Sequence, residues 1–179
     1  MSDIFALKVK EKLDNITNNP TYYPDGWSLD FAPLCDALEA KLYILQEKGS
    51  SGQIKLDDQG KPEIYISTQD PPLRQRFTIA HEIGHFISYQ AESYSKDPLS
   101  TKNGILERSF LAKMSNETLK CEQEANAIAA QLLMPEEKIR QAVARYGGAN
   151  QPVAFYAELF LVSSQAMSIR LEKLGYWIF

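Results

Sequence analysis

Apolar residues recur at helical spacing over most of this chain and alternate at strand spacing only between residues 41 and 67. In residues 3–17, Ile4, Leu7, Val9, Leu13 and Ile16 stand among lysines and acids, which predicts an amphipathic helix. Asn18-Asn19-Pro20 ends it, and the aromatic, turn-rich segment Tyr22 to Trp27 follows. Ser28 or Asp30 can cap a second helix through about Ala40, with Leu34, Cys35 and Leu38 turned inward. Strand patterns then occupy residues 41–46, 53–56 and 63–67, separated by Gly49-Ser50-Ser51-Gly52 and by Asp57 to Pro62. Both separators read as tight turns, so the expectation is a small three-stranded antiparallel sheet. Such a sheet can supply a packing surface for the next helix and an edge for an extended peptide.

Pro71-Pro72 opens a central helix running to about Gln90, whose core stripe is Ile79, Ala80, Ile83 and Ile87. Residues 91–117 are polar, with Pro98 and Asn103-Gly104, and read as a long connection bordering a cleft, with a short helical turn near 105–111. A helix from about Thr118 to Met134 follows, then one opened by Pro135 and ended after Tyr146 by Gly147-Gly148. A terminal pair spans Pro152 to Phe160 and Ser163 or Ser164 to Leu174. The sum is an α+β chain read as a single domain over 1–179: N-terminal helices in 1–40, the sheet in 41–69, a helical core in 71–146 and a C-terminal helix pair in 151–179.

Charge narrows the function. A formal net charge of −4 argues against strong direct nucleic-acid binding, which needs clustered Lys and Arg. No apolar run approaches the roughly 20 residues that cross a bilayer, and the N-terminus lacks a signal-peptide pattern. Cys35 and Cys121 are isolated and read as reduced thiols, so a cytoplasmic location and no membrane partner are expected. Oligomeric state leaves no mark in the sequence.

The chemistry lies in the central helix. His81 and His85 are the chain's 2 histidines. Four helical residues advance the chain by about 400°, so both imidazoles share one face. Two neutral imidazoles so placed can chelate zinc, and Glu82 can serve as general base for the hydrolytic water. Catalytic zinc takes three protein ligands, so the third must be a non-histidine donor. The stripe through Glu122 carries Ala125, Asn126, Ala129 and Leu133, as on a face packed against another helix. The stripe through Glu124 carries Lys120 and Gln131 beside Ile128, so Glu122 is favoured, with Cys121 a lesser donor. Asn126, one turn beyond Glu122, can hydrogen-bond either the carboxylate or a histidine, or cap buried backbone. Gly84 costs the helix about 1 kcal/mol relative to Ala, which points to close approach by another element.

The run Arg76 to His85, the segment Glu122 to Pro135 and the tail Ala157 to Leu171 together resemble the ImmA/IrrE family of zinc metallopeptidases. The resemblance covers about 41–175. It implies a zincin-like metallopeptidase of bacterial or phage type. Under it His81, His85 and Glu122 hold Zn2+, and Glu82 is the catalytic base. The implied protein substrate is a helix-turn-helix repressor of a mobile element or stress response. Many relatives carry His where this chain has Tyr89. Arg74, Arg76 or a tyrosine could stabilise the oxyanion, though a structural salt bridge or core-edge role suits each of them better.

Two other readings compete. Residues 154–174 have helix-turn-helix character, but Leu161 stands where such turns favour Gly, and Arg170 and Lys173 make a weak phosphate footprint. Packing of two terminal helices is the better account. The chain could also act as a metal-binding regulatory or toxin-antitoxin partner that works by binding without proteolysis.

Overall fold

The computed structural model describes residues 3–45, 52–93, 115–147 and 151–176. Helix α1 spans Asp3–Thr17 and turns Leu13 and Ile16 into the core with Val9 packed beside them. Leu7 lies off that stripe and is exposed, unlike the expectation. Asn19 caps a short 3-10 turn at Pro20–Tyr22 by accepting from Thr21 N. Asp30 caps α2, Phe31–Ala37, accepting from Ala32 N at 3.0 Å, and α2 buries Leu34 and Cys35.

The strands are β1 (Lys41–Leu45), β2 (Gly52–Leu56) and β3 (Pro62–Ser67), in the order β1-β3-β2. β2 and β3 form the expected antiparallel hairpin, Ile54 opposite Ile64. Its turn is set by Asp57, whose side chain accepts from Gln59 N and Lys61 N, and by Gly60 at φ 76°. β1 corrects the antiparallel expectation: it runs parallel to β3, Tyr43 opposite Tyr65. The sheet is therefore mixed. The physical reason is burial. β3 carries Ile64 and Ile66 into the core and takes the centre, while β1, exposed along its length, is left at an edge.

Helix α3, Pro72–Ser93, packs on β2 and β3, and its stripe of Ile79, Ala80, Ile83 and Ile87 is buried as predicted. Helix α4, Ser115–Leu133, lies against α3 and is its principal partner. Helix α5, Glu136–Tyr146, ends in Gly147 at φ 95°, a left-handed cap that only glycine adopts freely. Helices α6 (Val153–Leu159) and α7 (Ser164–Lys173) pack on each other, with Ser163 capping α7 through Ala166 N. Leu161 sits in their turn at φ 51°, so a non-glycine residue adopts the left-handed backbone there. One buried apolar cluster joins residues from Leu13 to Leu171. The long connection expected over 91–117 is shortened at both ends, because α3 runs to Ser93 and the next helix begins at Ser115; the remainder, with the helical turn expected near 105–111, lies outside the described residues. Among the described residues, no helix is long and apolar enough to cross a membrane.

Candidate metal centre

Small residues let α3 and α4 meet closely, and the site follows from that approach. Ala80, Ala125 and Ala129 are fully buried between the helices. At Gly84 an added Cβ would lie 2.8 Å from Ala125 O, closer than a Cβ approaches a backbone oxygen, and a tight 3.2 Å from Ala125 Cα. The glycine weakens α3 locally and brings the α4 backbone to within reach of the histidine face.

Three side chains then converge. His81 Nε2 lies 3.3 Å from Glu122 Oε2, His85 Nε2 lies 3.4 Å from Glu122 Oε1, and the two Nε2 atoms are 3.0 Å apart. Donors at zinc bond lengths of about 2.0–2.2 Å and tetrahedral angles are about 3.3–3.6 Å from one another, so the set is close to the dimensions of such an ion. Its chemistry agrees. Three electron-pair donors facing one another repel unless a proton or a cation lies among them. Within the described residues, His81, His85 and Glu122 form the group that could hold a metal. The histidine side chains are mostly buried, 13% and 16% exposed, whereas Glu122 at 35% faces the opening.

Asn126 Oδ1 lies 3.0 Å from His81 Nδ1. An amide oxygen accepts, so this contact places the imidazole proton on Nδ1 and leaves the Nε2 lone pair directed at the cluster. Of the alternatives weighed for Asn126, the contact to a histidine is the one present. Phe77 packs its ring 6.0 Å from that of His81 and carries the Arg74 guanidinium 5.6 Å above its centre.

Glu122 joins the two histidines and Glu124 does not, although both are half-buried. Glu124 borders a cavity of about 870 Å³ on the other side of α4, together with Leu13, Ser88, Ile128 and Gln131, and none of the three clustered residues lines it. Glu82 is buried, 2% exposed, and lies beside Thr78 under the start of β2. Arg76 is committed elsewhere. Its guanidinium donates to Leu29 O at 2.9 Å and Leu161 O at 3.2 Å, tying α3 to the segments before α2 and α7. Burial lowers its pKa from the usual range, and the two hydrogen bonds hold its guanidinium to backbone carbonyls of other segments. Arg170 likewise donates to Met134 O at 3.0 Å and to the Gln131 side chain, which removes one of the two cations of the weak phosphate footprint.

Sequence reasoning missed Gly52. Its place in a polar Gly-Ser-Ser-Gly run reads as a turn, yet it is the first residue of β2 and abuts Glu82.

Comparisons with known proteins bear on this geometry. A family profile described as the IrrE N-terminal-like domain, a peptidase family, matches residues 35–172. The radiation response metalloprotease IrrE of Deinococcus radiodurans is 36% identical over 110 residues, which is 62% of this chain and 30% of that protein. The chain therefore spans under half the length of this curated relative. A solved Mycobacterium tuberculosis transcriptional regulator superposes with a TM-score of 0.55 at 14% identity, covering 96% of this chain and 47% of that one. At that identity the likeness concerns the fold.

Proposed function

This chain belongs to the IrrE N-terminal-like domain family of peptidases, and from that premise we propose that it is a zinc-dependent endopeptidase acting on a protein substrate. The observation that carries the reading is the convergence of His81, His85 and Glu122 from two helices. The similar metalloprotease of Deinococcus radiodurans supports it. In this reading His81, His85 and Glu122 hold Zn2+, which supplies Lewis acidity for hydrolysis of a peptide bond.

The chain's own residues do the rest. Asn126 fixes the tautomer and ring plane of His81. Glu82 takes a proton from the attacking water and returns it to the leaving amine. Its burial in a low-dielectric setting strengthens its interaction with nearby charge and keeps bulk water from competing for the proton. β2 is an edge strand against α3, and an extended substrate segment is proposed to align along it. A helix-turn-helix repressor is the proposed substrate class, resting on the family resemblance of the two motif segments.

Glu82→Gln separates this reading from binding without proteolysis. The variant is expected to keep zinc and to lose cleavage of a candidate repressor. Undiminished cleavage by it would remove Glu82 from the base role. A wild type that binds zinc and the repressor without cutting would favour the regulatory reading instead.

A further inference from the structure

Gly52 opens β2, and its glycine is not demanded by backbone conformation. Among the described residues, the glycines with left-handed φ are Gly26, Gly60, Gly147 and Gly175, whereas Gly52 has the backbone of an ordinary strand residue opposite Ile66. Alanine would be the better strand residue on propensity alone, because glycine in a strand loses more conformational freedom and packs nothing. What excludes a side chain is space. A Cβ at position 52 would overlap the Thr78 γ-methyl and would stand 3.1 Å from Glu82 Oε1 and 3.5 Å from Glu82 Cγ. Thr78 and Glu82 are one turn apart on α3, and both are buried, at 4% and 2% exposed. Thr78 is β-branched and stiff at χ1, so it cannot swing away inside a packed interface.

We propose that Gly52 is a positioning residue for the Glu82 carboxylate: the bare backbone of β2 and the Thr78 γ-methyl form two walls of the slot that sets where that carboxylate sits. The inference rests on the reading of Glu82 as the base, and it adds the device that aims it. The slot joins sheet to helix, so the base is referenced to the same strand along which an extended substrate is proposed to lie. A bulkier residue at position 52 closes the slot and moves the carboxylate, while His81, His85 and Glu122 keep their places on α3 and α4.

The test compares wild type, Gly52→Ala and the double variant Gly52→Ala/Thr78→Ser, in which the γ-methyl that meets the new Cβ is gone. Three quantities are read: bound zinc, steady-state cleavage of a candidate repressor, and the ¹³Cδ resonance of Glu82, assigned with Glu82→Gln. Gly52→Ala is expected to retain zinc, to shift the Glu82 resonance and to lower kcat by about 10- to 100-fold with KM little changed, the scale of a misplaced catalytic group. The double variant is expected to return the resonance and most of kcat. If Gly52→Ala leaves the resonance and kcat at wild-type values, the proposal is overturned. It is also overturned if the double variant fails to restore either. Should Gly52→Ala not fold, a folded double variant with a wild-type Glu82 resonance supports the slot, and an unfolded one overturns it. A resonance that shifts and returns in a protein without cleavage activity keeps the slot and removes the peptidase reading.

Discussion

Where α3 crosses α4, Ala80, Ile83, Ala125 and Ala129 are 0% exposed, whereas Leu42 and Ile44 on β1 are 40% and 62% exposed. Both regions are rich in apolar residues, yet only one is packed. The crossing is held by close backbone approach at Gly84, so the positions of His81, His85 and Glu122 follow from helix geometry and leave little slack. β1 is held by its ladder to β3 and by the stacked rings of Tyr43 and Tyr65, 4.9 Å apart, with both hydroxyls donating to Glu63. Apolar content alone does not tell a rigid region from a tolerant one. Small residues at the point of contact do.

Four substitutions sharpen that contrast, in order of expected effect. Glu122→Ala removes one of three donors and is expected to abolish stoichiometric zinc binding, as read by metal analysis after dialysis. Asn126→Ala leaves all three donors but frees the His81 ring, and zinc affinity measured by chelator competition is expected to fall about 10- to 100-fold. Gly84→Ala inserts a methyl against the α4 backbone. Overpacking of about 1–3 kcal/mol outweighs the gain of about 1 kcal/mol in helix propensity, so urea unfolding is expected to show a net loss of stability. Ile44→Thr on β1 is expected to change stability by no more than about 0.5 kcal/mol in the same assay. A large loss from Ile44→Thr alongside a neutral Gly84→Ala would reverse the assignment of rigid and tolerant regions.

The helices were legible in the sequence because their signals are local. Asp30, Ser163 and Gly147 cap them by hydrogen bonds or backbone angles that depend on a few neighbouring residues. Periodicity favoured Glu122 over Glu124, because one stripe is small and apolar and the other is mixed, and Glu122 is the carboxylate that lies beside the two histidines. Strand pairing was not legible, since it depends on partners far along the chain. Turn residues around Asp57 marked a true hairpin, but the Gly-Ser-Ser-Gly run said nothing of which strand β1 would join. Gly52 was hidden for a related reason. A glycine excluded from carrying a side chain by Thr78 and Glu82 looks, in one dimension, like a glycine in a turn.

The central claim is that α3 and α4 each carry part of one zinc site. It is tested most directly by anomalous diffraction at the zinc edge from crystals of the zinc-loaded protein. The account predicts a single strong peak at zinc bond length, about 2.0–2.2 Å, from His81 Nε2, His85 Nε2 and a Glu122 carboxylate oxygen. A protein that takes up zinc but shows no peak among those three side chains would contradict it.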